Sequence, residues 1–313
     1  MDRPVDIKKR LRSVNDIRQL TRAMELVSAA KMRRSKLQHD LVYPFFSLCA
    51  ESMLEIQRYS AEIDNAFFRL REKKEGQTWR IGYFILTGDQ GLAGAYNNNV
   101  VRTTEEHIRE KILDNEAKGL QTDYTLYVFG NIGRDKLISD GYRVDPDFSF
   151  PITEPTYYEA REVANIIRRK YSAGEFDLVY LIYTKTDSAI SMKPIISRVV
   201  PVNTKGLSAF LPEGLTDAGI ALEKGAVIEY EPDANAVFSF LIDTYLNAVI
   251  YGALVEAYSS EQTARMTAMD HATQNADEML KQLRLRGNRA RQSLITTELT
   301  EIINGARSVQ SID

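Results

Sequence analysis

The stretch of this 313-residue chain best suited to hold a ligand is Gly88-Asp89-Gln90-Gly91-Leu92-Ala93-Gly94. It follows an apolar run, Trp79 to Thr87, and precedes a helical pattern from about Asn97 to Leu113. In such a setting backbone N–H groups at a helix start can cradle a phosphate. The spacing matches neither G-x-x-x-x-G-K-[ST] nor G-x-G-x-x-G with a following acid at the right distance. A tight structural turn is therefore preferred over a phosphate cradle, and the second glycine pair, Gly130 and Gly133, is a weaker candidate still. His39, His107 and His271 are far apart and have no Cys or second His at ligand spacing, which argues against metal. Cys49, the single cysteine, rules out an internal disulfide and reads as a packed residue beside Leu48 and Met53. No Ser/His/Asp or Cys/His set is evident, and Glu105-Glu106 falls on a charged helix. The expectation is no active site, no cofactor and no metal.

The strongest local charge lies at the start. From Arg3 to Lys36 there are eleven Lys or Arg against three acids, a local balance of +8 within a chain of net charge −3. Lys281, Arg284, Arg286, Arg289 and Arg291 form a second basic group. A solvated helix face and an acidic partner are both open readings; anionic lipid and nucleic acid are further options. No aromatic residues are interleaved as a base-stacking platform requires, so an acidic protein surface is favoured over nucleic acid.

Two long helices must position these groups. From Asp233 to Asn304 there is no proline, and only Gly252 and Gly287 interrupt. Apolar or small residues recur in heptad steps: Phe238, Leu241, Tyr245, Ala248, Gly252 and Val255, then Met266, Met269, Thr273, Ala276, Leu280, Leu283, Gly287, Ala290 and Leu294. Such a helix would be roughly 100 Å long. Small residues in the seam predict a stiff, thin rod rather than a tight zipper. Ile7, Leu11, Val14, Ile17, Met24 and Val27 give an N-terminal helix from about residue 4 to 60, which Pro44 kinks rather than ends. Between them the period changes. Expected strands cover Trp79–Thr87, Tyr124–Phe129 and Asp177–Thr184, with an antiparallel run at Met192–Val202 and a further helix over Pro155–Tyr171. A loop is expected at Asn203–Gly225 and a short extended piece at Ala226–Glu231, before Pro232 launches the last helix. The expected fold is α/β: a long antiparallel coiled coil from the N- and C-terminal helices with an inserted Rossmann-like α/β domain. The coiled coil would comprise residues 1–70 and 226–313, and the insertion 76–225. No apolar run approaches the ~18 residues of a membrane span.

The run Ile7-Lys8-Lys9-Arg10-Leu11-Arg12-Ser13-Val14 through Thr21-Arg22-Ala23-Met24-Glu25-Leu26-Val27 resembles the first helix of the gamma subunits of rotary (F-type) ATP synthases. The Gly88–Asn97 loop resembles that family's D-x-G-L-x-G-x-x-N motif. Ser260-Glu261-Gln262-Thr263-Ala264-Arg265-Met266 and Asn288-Arg289-Ala290-Arg291-Gln292-Ser293-Leu294 are similar to its C-terminal signature. Gln90 stands where a basic residue is common, and Ala93 and Ala95 where cysteine or glycine is.

The resemblance implies a central-stalk rotor. It would couple ion-driven rotation of a membrane c-ring to ATP synthesis or hydrolysis in a ring of three alpha and three beta subunits. One copy per complex is implied, with the inserted domain on the c-ring beside epsilon and with no catalytic site of its own. By positional match, Arg265, Arg291, Gln292 and Thr296 would contact the catch loops of beta. Met24 would face beta's acidic lever, or else be a seam residue. Tyr230 and Glu231 would lie on the c-ring and epsilon side. An initiating Met without a transit peptide suggests a bacterial member, peripheral on the cytoplasmic face of the cell membrane, without membrane insertion or nucleic acid. Two other classes compete: a non-rotary structural coiled-coil hairpin with a globular head, and a nucleotide-binding enzyme resting on the Gly88 loop.

Overall fold

The computed structural model describes residues 4–59, 65–152, 154–186, 191–202, 230–231 and 233–310. The expected loop at 203–225, most of the extended piece at 226–231, and Pro232 lie outside them. The chain forms two compact units, one from the stretches Met1–Ala29 and Arg265–Asp313, the other from Ala30–Ala264.

The larger unit is built on a four-stranded sheet. The strands are β1 (Thr78–Leu86), β2 (Gln121–Phe129), β3 (Leu178–Thr186) and β4 (Met192–Val200), in the order β2-β1-β3-β4. β1 pairs parallel with β2 and β3, and β4 runs antiparallel to β3. Alternate residues of β1 feed two cores. Ile81, Tyr83 and Ile85 meet Val100, Val101 and Ile108 of α2 (Tyr96–Glu116) and Leu137 of α3 (Asn131–Ser139). Phe84 and Leu86 meet the other side, with Val163 and Ile167 of α4 (Tyr157–Ser172). Burial on both faces explains the near-continuous apolar strands. The start of α4 is set by a capping box: Glu159 N–H donates to Thr156 Oγ1, and Thr156 N–H donates to the Glu159 carboxylate.

The two terminal elements are each one helix, α1 (Pro4–Tyr59) and α5 (Ala234–Gln310). Pro44 sits inside α1 without ending it. Asp233 caps α5 by accepting from Ala236 N–H. In the larger unit, Phe46, Ala50, Met53 and Ile56 of α1 join the α4-side core together with α5. Nearly every residue of α5 from Tyr245 to Ala264 is buried, whatever its heptad position. That corrects the expected single seam: here α5 is a core helix. It also corrects the expectation that no segment has the length and composition of a membrane span. An 18-residue window of α5 has both, and 56% of it is buried inside the protein, as a core helix requires.

In the smaller unit the pairing is antiparallel. A Cβ on Gly287 would lie 3.5 Å from Ile7 Cγ2, Arg18 Nη1 donates to Asp277 Oδ1 at 3.2 Å, and the Thr21 and Thr273 hydroxyls are 2.7 Å apart. Along α1 the inward positions recur every seven residues: Ile7, Val14, Thr21 and Ser28 in this unit, and Ser35, Val42 and Cys49 within the larger one. This corrects the sequence seam at two places, since Ile17 and Val27 are exposed. The interior is small and hydroxylated, while Ile17, Leu20, Leu26, Val27, Leu41 and Phe45 face out.

Candidate functional site

Ligands of open α/β sheets bind beyond the carboxyl ends of the strands, where the strand order reverses. In this sheet that place lies between β1 and β3, at Thr87-Gly88 and Thr186. The Gly88 loop is therefore in the right position for a cradle. Two of its polar groups are already engaged. Gly88 N–H donates to Asn97 Oδ1 at 2.7 Å, and Asp89 Oδ1 accepts from Asn131 N–H at 3.0 Å. The second glycine turn presses against the first. Gly130 has φ +78°, and a Cβ there would lie 2.1 Å from Thr87 O. Thr87 Oγ1 donates to Phe129 O and accepts from Gly133 N–H, which ties β1 to the start of α3.

The crevice is filled from above by α5. Thr186 N–H donates to Glu256 Oε1 at 2.9 Å, and its hydroxyl lies 2.7 Å from that of Ser260. Ser260 also donates to Thr184 O, and Tyr96 OH donates to Ala257 O at 3.0 Å. A Cβ on Gly88 would meet Cδ and Oε1 of Glu261 at 2.7 Å. Among the described residues, Glu256, Ser260 and Glu261 of α5 occupy the space against Gly88 and Thr186 at this switch point. The loop turns tightly against α5 through the contact of Gly88 with Glu261. Open grooves lie elsewhere: about 270 Å³ between α4 and α5, lined by Tyr157, Arg161, Phe240 and Asp243, and about 380 Å³ lined by Arg10, Val14, Met279 and Leu283.

A second cluster was not apparent in sequence. Asp177, wholly buried at the head of β3, accepts from Arg71 Nη1 at 3.1 Å, Lys73 Nζ at 2.8 Å, and Arg80 Nε at 3.2 Å and backbone N–H at 3.0 Å. Burial raises its pKa, but hydrogen bonds from Lys73, Arg80 and Arg71 outweigh that and hold it at about 2. Arg71 also donates to the carbonyls of Tyr171 and Phe176, so the segment before β1 is strapped to the sheet. A lone acid before an apolar strand was the only sequence signal. Among the described residues no three of His, Cys, Asp and Glu gather as metal ligands. His107 instead packs edge-on to Tyr83 and Tyr180. Burial, with Lys111 nearby, lowers its pKa to about 4.

The residues singled out from sequence are dispersed. Arg291, Gln292 and Thr296 are exposed on α5, whereas Arg265 is only 5% exposed. Met24 is half-buried between the inward Thr21 and Ser28. Tyr230 packs half-buried against the core, and Glu231 is exposed. Lys8, Lys9, Arg10, Arg12, Lys31, Arg33, Arg34 and Lys36 are exposed, and Arg34 pairs with Glu154 at 2.8 Å.

The arrangement defines an α/β protein with antiparallel terminal helices whose ligand crevice is closed by one of those helices. A family model described as ATP synthase matches residues 5–309. The ATP synthase gamma chain of Ruminiclostridium cellulolyticum is 40% identical over 305 residues, covering 97% of this chain and 98% of that one. The ATP synthase gamma chain, sodium ion specific, of Acetobacterium woodii is 34% identical over 310 residues, with 97% and 98% covered. Among solved structures, a chain of the Euglena gracilis mitochondrial ATP synthase (OSCP/F1/c-ring, rotational state 3) aligns with a TM-score of 0.61 at 16% identity, covering 98% of this chain and 95% of that one. The chain belongs to the ATP synthase gamma-chain family. Membership of that family does not favour the structural-hairpin alternative.

Proposed function

We propose that this chain is the central-stalk rotor of an ATP synthase, coupling ion-driven rotation of a c-ring to ATP synthesis or hydrolysis in a ring of alpha and beta subunits. The observation that carries the reading, beside family membership, is the inverted polarity of α1: small hydroxyls inside, scattered large apolar groups and solvated cations outside. Isolated apolar contacts each bury little area, at about 25 cal/mol per Å². Such a surface can leave one partner for the next without a large loss of free energy.

One copy serves three alpha and three beta subunits, with epsilon beside it and the c-ring below. Residues 1–70 and 226–313 act as the shaft and 76–225 as the inserted domain. Catalysis belongs to the surrounding subunits, and this chain binds no cofactor. The location is peripheral, on the cytoplasmic face of a bacterial membrane, with no inserted segment and no nucleic acid. Burial of the apolar window of α5 supports the absence of insertion. Exposed Arg291, Gln292 and Thr296 meet the catch loops of beta. Arg265 carries the same assignment, although it must swing out of its buried place to do so. Met24, at the seam's edge, faces beta's acidic lever, and Tyr230 and Glu231 face the c-ring and epsilon.

The test is reconstitution with matching alpha and beta subunits, followed by a stoichiometry count and an ATPase assay. The rotor reading expects one copy per three alpha and three beta, with activity that depends on it. Failure to join, or joining in threes, returns the structural hairpin to the front. Arg291→Ala with Gln292→Ala is expected to lower coupled synthesis and hydrolysis; unchanged coupling removes the catch assignment.

A further inference from the structure

In doubly wound sheets that bind nucleotides, a phosphate sits against the first turn after β1. A glycine there lets it approach, and the N-terminus of the next helix attracts its charge. In this protein that place is taken by a group of the chain itself. A Cβ on Gly88 would be 2.7 Å from Cδ and Oε1 of Glu261 and 3.0 Å from Oε2, so both carboxylate oxygens lie against the glycine. Glu261 is 3% exposed. The bonds of Glu256, Ala257 and Ser260 to Thr186 and Tyr96 fix this part of α5 over the crevice.

A buried carboxylate is costly unless its surroundings favour negative charge. The neighbouring helix supplies such a setting. α2 has no acidic residue in its first turn and no side-chain cap at Ala95, so its own sequence leaves its positive end uncompensated. Its first residue, Tyr96, packs with Ala93 and Ala264, which brings this end of α2 beside α5.

We propose that Glu261 is a built-in anion: it occupies the phosphate cradle of the sheet from within and so registers α5 on the α/β domain as a positioning residue for torque transfer. The torque clause rests on the rotor reading; occupation of the cradle does not. The motif loop thus keeps its glycines for an internal carboxylate rather than a nucleotide.

The test has two arms. In the first, the full chain is melted in sodium formate and in sodium chloride of equal ionic strength. Wild type is expected to melt alike in both. Glu261→Ala is expected to melt more than about 3 °C lower in chloride and to regain at least part of that loss in formate, whose carboxylate fills the vacated place. Glu261→Gln, which fills the space with a neutral amide, is expected to melt lower without responding to formate. It serves as the measure if the alanine variant does not fold. Gly88→Ala is expected to destabilise wild type, and Glu261→Ala to cost less in that background, because the two positions share one contact. Wild-type melting of Glu261→Gln, or an equal formate response in wild type and Glu261→Ala, overturns the proposal. In the second arm, the assembled complex in vesicles is assayed for ions pumped per ATP hydrolysed. The ratio is expected to fall in Glu261→Ala and to recover with formate. An unchanged ratio overturns the positioning role, whereas failure of wild type to assemble with alpha and beta overturns the rotor reading and leaves the first arm to stand.

Discussion

Asp177 and His107 respond oppositely to their surroundings, and each makes a prediction about acid. Removing the Asp177 carboxylate leaves Arg71, Lys73 and Arg80 around a void. Asp177→Ala is therefore expected to cost roughly 3 kcal/mol or more in urea unfolding, the range for breaking one side of a buried ion pair. The folded pKa of about 2 lies below the ordinary value of 3.8, so the charge-dependent part of this stability, about 2 kcal/mol, is present above pH 3.8 and is lost between there and pH 2. His107 acts earlier. Its folded pKa of about 4 lies below 6.5, so the unfolded chain takes up the proton first as pH falls. Stability is complete above pH 6.5 and declines towards pH 4, by up to about 3 kcal/mol for this group. Urea unfolding at pH 7, 5.5 and 4.5 checks it. His107→Phe is expected to flatten the slope; an unchanged slope assigns the acid sensitivity to other groups.

At the scale of the element, α1 shows why a seam of small polar residues persists. Ser28 and Ser35 are buried where a zipper would carry leucine. Ser35 Oγ is buried without a hydrogen-bond partner among the described residues, so Ser35→Ala is expected to be neutral or to add up to about 1 kcal/mol. Ser28→Leu is expected to cost about 1–3 kcal/mol, because a close-packed helix pair must part to admit the extra methylenes. Thermal unfolding distinguishes the two. A stabilising Ser28→Leu would mean that the helices have slack, contrary to the close approach of Thr21 to Thr273.

For the whole molecule, the two units place different demands on one helix. In the larger unit α5 is covered on nearly all faces and closes the sheet's crevice. In the smaller, its inward residues end near Gly287 and Ala290, opposite Ile7 of α1, and the stretch from Arg291 to Asn304 is almost wholly exposed. Replacing the exposed Leu299, Ile302 and Ile303 by Ser is thus expected to change the unfolding free energy of the chain by no more than about 0.5 kcal/mol per site, while lowering the ATPase activity of the reconstituted complex. Equal activity would show that the exposed end does no work in the rotor; a large loss of stability would show an intramolecular partner for it.

Helices α1 and α5, the three parallel strands and the antiparallel edge were legible because each rests on local information: heptad spacing over many turns, apolar runs of strand length, and glycine turns between them. The family was legible because its motifs lie at both ends and in the middle of the chain. Faces and partners were not. Ile17 and Val27 follow helical spacing yet point outward, because burial in a helix pair depends on which stripe the partner covers, and hydroxyls at Thr21, Ser28 and Ser35 allow the closer approach. Asp177 with its three cations, and Glu261 against Gly88, join residues about a hundred or more positions apart. Sequence spacing carries no distance between such groups. The chain alone determined that a glycine turn would follow β1 ahead of a helix; only the tertiary structure decided that a carboxylate from α5 would fill it, because the folding of α5 over the strand ends sets what space remains.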